Sequence, residues 1–449
     1  MKRLLGLLLI CSLALGMFTA CGKKDKAQGG NNAGTGGTTN TQQSASTDLV
    51  ETGGTKTYTV DASVVSGMGK VDTGSLYVTE SMIDKGISRA GSLDRLAEAM
   101  EKAAAGGTVT IAYIGGSITA GEGASSYDKS YAALTTAWWK ATFPNATIKE
   151  VNIGAINCDS YISAHRIAGE VVSQNPDVVI IDTAVDDNGA ISEEAFESMV
   201  RVLLSSGSTP AVIPLITTNS SYVDDGVTQS ALAFKLNLAV ISYADVLENN
   251  ITNGTWSWAD VSTTGETVNP SDSGHAFIAY LLTGYFGRVL SGIADSQYNE
   301  YVLTDSTSTK VRYTKASVVS PESVPHDGED NALTDLPGAD GSFIVKGMCT
   351  LSGKEATFEV TGKNIGVLYW KSIEGQSGKF DVYIDDAKEP VTTLDGDLSG
   401  VEGATYNYME YYELAKFDES GTHTIRFVMN TEEESAGDDF YVCGFTVSE

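Results

Sequence analysis

The chain has 449 residues, 42% of them hydrophobic, and carries a formal net charge of −29 at pH 7. Its length predicts two folded domains, or three. An acidic protein repels nucleic acid and anionic membrane surfaces, so nucleic-acid binding is excluded and a neutral or cationic partner is favoured, unless the charge serves solubility alone.

The N-terminal residues predict export. Lys2 and Arg3 precede an apolar run over residues 4–18, which is too short for a membrane-spanning helix and is typical of a signal peptide covering residues 1–20. The run ends in Phe-Thr-Ala-Cys, which resembles the lipobox of bacterial lipoproteins. The resemblance implies that Cys21 is acylated and holds the protein on a membrane, facing the extracellular side or the periplasm. An ordinary secretory signal with an incidental cysteine is the alternative.

Residues 21–56 are expected to form a linker. They are mostly Gly, Asn, Thr, Gln and Ser. Such a segment buries too little apolar surface to offset the entropy of ordering, so we expect disorder.

The cysteines do not indicate a metal site. Cys158, Cys349 and Cys443 remain beyond the signal and the anchor, without CxxC or Cys/His spacing. We therefore expect neither a metal nor a cofactor. The sequence does not decide whether Cys349 and Cys443 form a disulfide.

Residues 57–304 are expected to form an α/β domain. Strands are predicted at 109–114, 147–153, 178–183, 211–217 and 239–243, and helices at 92–105, 129–143, 160–173, 193–204, 228–236 and 273–290. The alternation and the near-continuous apolar strands predict a parallel sheet covered on both faces, a three-layer α/β/α arrangement. In such sheets ligands bind at the carboxyl ends of the strands.

Residues 305–449 have a different pattern. Short strand-like runs recur between turn residues, with hairpin turns predicted at residues 385–386 and 419–421. This pattern predicts an all-β sandwich of the jelly-roll kind, acting as an accessory domain. Its cluster of Tyr406, Tyr408, Tyr411 and Tyr412 serves either sheet packing, which we favour, or stacking on a sugar ring.

Ser117 is the first candidate for catalysis. It follows Gly115 and Gly116 at the end of the first core strand, where glycines allow a sharp turn that exposes the serine. A Gly-Gly-Ser sequence alone is more often a simple loop, so its surroundings decide the interpretation.

Four sequence blocks resemble the SGNH/GDSL hydrolases. They are IAYIGGSIT around Ser117, VNIGAIN with Gly154, PDVVIIDTAVDD ending in Asp186 and Asp187, and NPSDSGHAFIA from Asn269. The resemblance implies a flavodoxin-like domain and a serine esterase that deacylates, and in GGSIT relatives deacetylates, carbohydrate esters. It also implies that Ser117 is the nucleophile and that the N–H groups of Ser117 and Gly154 stabilise the oxyanion.

Three positions depart from the family pattern. Asp186 stands where the family has an oxyanion-binding asparagine, and Asn269 and Glu266 stand where it has the catalytic histidine and its aspartate. An ionised carboxylate repels a developing oxyanion. An asparagine amide does not titrate near neutral pH and cannot accept the serine proton.

A substitute base is offered by Asp272 and His275, which repeat the Asp-x-x-His spacing six residues later than the family register. Of the other histidines, His326 and His423 lie outside the α/β domain, and His165 is expected to be a structural helix residue.

Two functions therefore remain open. One is a surface-anchored esterase acting on acylated glycans through Ser117, with His275 as base. The other is a catalytically inactive lipoprotein that binds glycans or another ligand in the same cleft. A solute-binding lipoprotein of a transporter is disfavoured, because it needs two similar α/β lobes and the sequence contains one.

Overall fold

A computed structural model describes residues 49–293, 296–303, 311–331, 335–336, 345, 347–353, 355–401, 404, 406–431 and 436–449. The predicted signal peptide, Cys21, most of the predicted linker and the domain boundary at 304/305 lie outside these residues or at their edge. Residues Ala45–Glu449 form one compact unit. Among the described residues, no helix is both long enough and apolar enough to cross a membrane.

The helices of the described chain are α1 Ala62–Ser66, α2 Glu80–Gly86, α3 Asp94–Ala104, α4 Ser117–Ala120, α5 Tyr131–Thr142, α6 Ser160–Glu170, α7 Ala190–Ser205, α8 Gly226–Lys235, α9 Tyr243–Thr252, α10 Trp258–Val261 and α11 Asp272–Gly292. The strands of the α/β region are β1 Leu49–Lys56, β2 Ile87–Arg89, β3 Thr108–Gly115, β4 Thr147–Asn152, β5 Val178–Asp182, β6 Ala211–Ile216, β7 Val240–Ser242 and β8 Tyr298–Leu303. The later strands are β9 Ala316–Val319, β10 Glu329–Asn331, β11 Met348–Ser352, β12 Ala356–Lys371, β13 Lys379–Ile384, β14 Thr392–Asp395, β15 Tyr408–Met429 and β16 Asp439–Ser448.

The central sheet is parallel across β4-β3-β5-β6-β7, and β2 adds an antiparallel edge to β7. In chain order the parallel strands lie second, first, third, fourth, fifth, which is the doubly wound flavodoxin-like order. The α/β prediction is therefore confirmed. In this order the chain reverses direction beside β3, so the carboxyl end of β3 lies at the crevice where such folds bind ligands.

Each face of the sheet has its own hydrophobic core, because successive strand residues point to opposite faces. Along β3, Ile111 and Tyr113 enter the core shared with α3, α5 and α11. Ala112 and Ile114 enter the second core with α6 and α7. This second core continues into buried side chains of the C-terminal sheet, among them Trp370. The C-terminal sheet therefore packs against the α6 face of the α/β region.

The C-terminal strands form one antiparallel sheet in the order β10-β11-β16-β12-β15-β13-β14, with β9 paired to β16. The long strands β12 and β16 take different neighbours along their length, so the sheet curls around its own core. The predicted β-sandwich is thus present as a single curled sheet. The turn predicted at residues 385–386 is confirmed, and Asp385 has a positive φ of 52°.

Two local predictions are wrong. The turn predicted at residues 419–421 lies inside β15, where an irregularity in the pairing with β12 accommodates the extra residues between Lys416 and Gly421. The last eight residues of the predicted linker form β1, which pairs with β8. Both errors have one physical cause, because a polar segment becomes a strand when a partner strand supplies its backbone hydrogen bonds.

Candidate active site

Ser117 lies on a turn that only glycines can form. A Cβ atom on Gly115 would lie 2.1 Å from the carbonyl oxygen of Asp182, and one on Gly116 would lie 2.0 Å from Asp186 Oδ2. Both distances are shorter than atomic contact allows. The two glycines therefore let β3 end against β5 and place Ser117 at the start of α4, partly exposed to solvent.

The Ser117 hydroxyl is held by Asn269. Its Oγ donates a hydrogen bond of 2.7 Å to Asn269 Oδ1. Glu266 holds the loop on the far side of Asn269, because Glu266 Oε1 accepts the backbone N–H groups of Thr267, Val268 and Asn269 at 2.8, 2.8 and 3.1 Å. The Asn269 amide nitrogen lies 3.5 Å from Glu266 Oε2. Ser117, Asn269 and Glu266 thus follow one another in the order nucleophile, base position and orienting carboxylate.

The three residues are arranged like a catalytic triad, but the middle one is not a base. Partial burial opposes ionisation of Glu266, but the backbone N–H donors of Val268 and Asn269 lower the pKa of that carboxyl, so it stays charged. The amide oxygen of Asn269 accepts a hydrogen bond but does not take up a proton near neutral pH. The Ser117 hydroxyl is therefore oriented by an amide that cannot accept its proton.

The surroundings of His275 do not favour its predicted role as the base. His275 is completely buried. Its Nδ1 accepts the N–H of Tyr131 at 3.2 Å, and its Nε2 donates to the carbonyl oxygen of Glu122 at 3.0 Å. Burial lowers the pKa of His275, as expected of a neutral ring with one donor and one acceptor.

Asp272 does not orient His275 either. Its two carboxylate oxygens accept the backbone N–H and the hydroxyl of Ser125, each at 2.7 Å. The Asp-x-x-His pair therefore connects the start of α11 to the loop after α4, and its role is structural.

The N–H of Gly154, predicted to bind the oxyanion, donates at 2.8 Å to Asn152 Oδ1. The amide nitrogen of Asn152 in turn donates to the carbonyl oxygen of Thr119 at 2.8 Å. A Cβ on Gly154 would lie 2.4 Å from the backbone nitrogen of Ala120, so glycine is needed for the close approach of the two loops. Gly154 therefore lies beside the Ser117 turn, with its N–H engaged by Asn152. Sequence reasoning missed Asn152, although an asparagine two residues before a glycine is a signal of such a turn.

Asp186 lies at the other side of the turn. Its Oδ2 faces Gly116, is buried, and has no hydrogen-bond partner among the described residues. Burial, and then the charges of Asp182 and Asp187, raise the pKa of Asp186 well above its ordinary value. A protonated Asp186 would be a hydrogen-bond donor, whereas an ionised one would repel an oxyanion.

Asp187 and Asp159 complete a group of buried carboxyls behind Asp186. Asp187 accepts the N–H and hydroxyl of Ser160 at 2.8 and 2.7 Å, and an amide hydrogen of Gln229 at 2.8 Å. Burial and the charge of Asp159 nevertheless raise the pKa of Asp187 to about 8. Asp159 caps α6 and accepts the hydroxyl of Tyr411 from β15 at 2.8 Å. The buried carboxyls of Asp186, Asp187 and Asp159 thus form a cluster that extends from the Ser117 turn to the C-terminal sheet.

Asp182 makes folding stability depend on pH. Burial raises its pKa from the ordinary value to about 6, although Thr217 and Thr119 donate hydrogen bonds to it. The folded chain therefore holds this proton more tightly than the unfolded chain does. The resulting stability is complete below about pH 4 and is lost as the pH rises through about 6. We expect Asp182→Asn to remove a pH dependence on the order of 3 kcal/mol from the urea-unfolding free energy.

The control for this measurement is Asp128→Asn in an exposed turn, which should leave the pH profile unchanged. An unaltered profile in Asp182→Asn would mean that Asp182 ionises in the folded protein as it does in the unfolded chain.

A cavity of about 470 Å³ opens beside Asp186, between the α/β region and β15. It is lined by polar, acidic and aromatic side chains: Asn157, Asp159, Asp186, Asn188, Ile191, Ser192, Glu410, Tyr411, Tyr412 and Glu413. Asn157 connects the two walls by donating to the carbonyl oxygen of Met409 at 2.9 Å. The cavity therefore shares Asp186 with the surroundings of Ser117 and reaches the C-terminal sheet.

Two members of the tyrosine cluster have different surroundings. Tyr411 stacks on Tyr161 of α6, with ring centroids 4.4 Å apart and planes at 17°. This is the packing role that the sequence analysis favoured. Tyr412 lines the cavity with 41% of its surface exposed, so its ring is accessible to a ligand.

Comparison with known proteins found similarity among solved structures. The crystal structure of a two-domain esterase (CEX) active on acetylated mannans matches with a TM-score of 0.72 and 25% sequence identity, covering 82% of this chain and 98% of the esterase. The same esterase co-crystallized with mannopentaose matches with a TM-score of 0.71 at equal identity and coverage. An acetylxylan esterase from Geobacillus stearothermophilus matches 40% of this chain and 94% of its own, with a TM-score of 0.34 and 19% identity. No family model and no curated protein sequence matches the chain. The solved structure that matches most of the chain is thus an esterase active on acetylated mannans.

Proposed function

We propose that this protein binds acylated glycans on a carbohydrate-esterase scaffold and has lost the hydrolytic step. One observation carries the proposal: the atom that accepts the Ser117 hydroxyl is the amide oxygen of Asn269, 2.7 Å away. Removing the base of a hydrolytic triad costs about a millionfold in rate in subtilisin. The substrate class is supported by the similarity to an esterase active on acetylated mannans, which extends over 98% of that protein.

The cavity beside Asp186 is suited to a sugar chain. Tyr412 offers an aromatic face, and Asn157 and Asn188 offer amide groups that pair with hydroxyls. Glu410 adds an acceptor for sugar hydroxyls. The acidic walls favour neutral or cationic sugars over uronic acids, because carboxylates repel one another.

A second candidate function is slow deacetylation of the same glycans. It is supported by the preserved turn, which still orients Ser117 at the carboxyl end of β3. If Asp186 is protonated, it supplies a donor to the oxyanion in place of an asparagine.

We also propose that the protein is exported and tethered to a membrane through Cys21. The support is the sequence itself, in which a basic start, an apolar run and a cysteine precede a polar segment. Such a tether would hold the glycan site outside the cell.

The two functions are separated by one set of measurements on the purified chain. We expect no labelling of Ser117 by a fluorophosphonate probe and no p-nitrophenyl acetate turnover above a Ser117→Ala control. We also expect acetylated mannan oligosaccharides to bind in a calorimetric titration. Labelling and turnover that disappear in Ser117→Ala would establish the slow esterase. Absence of both turnover and glycan binding would refute the two proposals together.

The cavity is tested by Tyr412→Ala, which we expect to weaken oligosaccharide binding about three- to tenfold through loss of the ring. Tyr222→Ala is the matched control, since Tyr222 has a similar exposure of 36% and lines another part of the surface. Equal affinities in both variants would place the glycan site elsewhere.

A further inference from the structure

A histidine, an aspartate and a cysteine meet at one edge of the C-terminal sheet. The antiparallel pairing of β10 with β11 puts Asp330 directly opposite Cys349. His326 precedes Asp330 by four residues, and its Nε2 lies 2.9 Å from Asp330 Oδ1. One ligand atom from each of the three residues lies within 4.8 Å of the other two.

The three residues differ in burial and in the contacts around them. Cys349 is completely buried. The chain crosses over the thiol at Gly328, where a Cβ would lie 2.2 Å from the sulfur. The ring of His326 packs edge-on against Phe358 with centroids 5.4 Å apart, which limits its orientations. Asp330 closes the outer side, and its carboxylate remains open to solvent.

The donor set selects a class of metal. A thiolate is a soft ligand and an imidazole a borderline one, and together with a carboxylate they suit Zn²⁺ and related transition metals, whereas Ca²⁺ and Mg²⁺ require oxygen ligands. With Zn–N near 2.05 Å and Zn–S near 2.3 Å, tetrahedral coordination puts nitrogen and sulfur about 3.6 Å apart. The three ligand atoms lie within 4.8 Å of one another, so the nitrogen and the sulfur need to approach by at most about 1.2 Å to reach this geometry.

We propose that His326, Asp330 and Cys349 bind a Zn²⁺ ion, with water in the fourth position. On binding, the Cys349 thiol releases its proton to solvent and its sulfur bonds to the metal. The ion links the short edge strand β10 to β11 and to the segment before it. The site lies outside the Ser117 region, so it stabilises the sheet and takes no part in ester chemistry.

The test uses Co²⁺ as a spectroscopic substitute for Zn²⁺ on the reduced, full-length protein. We expect a thiolate-to-cobalt charge-transfer band in the near ultraviolet and visible bands of tetrahedral Co²⁺, both abolished by stoichiometric Zn²⁺. Cys349→Ser should remove the charge-transfer band, and Cys158→Ser, at another buried free thiol, should retain it.

A second pair of variants keeps the test decisive if Cys349→Ser folds poorly. His326→Gln should weaken Zn²⁺ binding about a hundredfold in competition with a chromophoric chelator. His423→Gln is the control, because His423 Nδ1 lies 2.9 Å from Asp385 Oδ2 and forms a similar pair. The side chains of His423 and Asp385 are 16% and 46% exposed, and those of His326 and Asp330 are 12% and 45% exposed. Absence of the charge-transfer band in the unmodified chain would overturn the proposal. So would a band that survives Cys349→Ser, or equal losses of affinity in the two histidine variants.

Discussion

Asn269→His is expected to give this protein measurable ester hydrolysis. The imidazole would stand between Ser117 and Glu266, the two groups that already lie on either side of Asn269. A positioned general base contributes about a hundred- to ten-thousandfold to proton-transfer steps. We therefore expect p-nitrophenyl acetate turnover to rise by about that factor over the unmodified chain, and fluorophosphonate to label Ser117. The imidazole reaches one bond further than the amide, so the loop carrying residue 269 must move slightly outward.

The pH profile of this variant reports on Asp186. Turnover should rise as the new imidazole loses its proton at about pH 6.5, the pKa of an ordinary histidine. It should fall again at higher pH as Asp186 ionises, because a carboxylate repels the oxyanion. Asn269→His combined with Asp186→Asn should lose this second limb, with a gain of about a hundred- to thousandfold only in the pH range where Asp186 is ionised.

Two controls accompany these variants. Asn269→Gln keeps an amide at the base position and should stay inactive, and Ser117→Ala in the Asn269→His background should abolish turnover. If Asn269→His folds normally but neither hydrolyses the ester nor reacts with the probe, the missing base is not what silences Ser117.

Arg312→Met is expected to destabilise the junction between the two sheets. The Arg312 guanidinium donates to both carboxylate oxygens of Glu194 on α7, at 2.9 and 2.6 Å, and approaches Glu413 of β15 at 3.3 Å. The Glu413 side chain is only 8% exposed. Breaking a buried ion pair costs about 3–5 kcal/mol. Lys416 still neutralises Glu413 from 2.7 Å, so we expect a loss of about 2–3 kcal/mol in unfolding free energy.

The measurement is urea denaturation of the whole chain, beside oligosaccharide binding. Arg426→Met is a close control, because Arg426 also pairs with a glutamate and lies over a tyrosine ring but is more exposed. This substitution should lower the unfolding free energy by under about 1 kcal/mol. Arg312→Met should also weaken glycan binding, since Glu413 and Tyr412 line the cavity. Equal stability in the two variants would show that the Arg312 network contributes no more than a surface pair.

Hydrophobic periodicity predicted the central α/β elements closely. The helix predicted at residues 92–105 is α3 at Asp94–Ala104, and the strand predicted at 178–183 is β5 at Val178–Asp182. Both segments are recognisable from their own residues, because α3 buries one face and β5 buries every residue. β2 was missed, since three residues are too few for a periodic pattern.

Some site residues could be identified from the sequence, and others only from tertiary contacts. The register of the sequence blocks identified Asn269 and Glu266 as the residues at the base and carboxylate positions, and the structure places them beside Ser117. The Asp-x-x-His spacing made His275 a candidate for the base although it lies six residues past that register, and the sequence could not exclude it. Only the positions of the Tyr131 N–H and the Glu122 carbonyl show that both ring nitrogens are occupied.

The residues by themselves determine an α/β sheet with a serine after its first core strand, an amide where a base would stand, and a following all-β region. The tertiary structure alone determines the bond between Tyr411 and Asp159, the cavity between β15 and the Ser117 turn, and the pairing of Asp330 with Cys349. The reason is physical. Periodicity along the chain reports which face of an element is buried, whereas contacts between residues far apart in sequence depend on how the elements pack and on strand register.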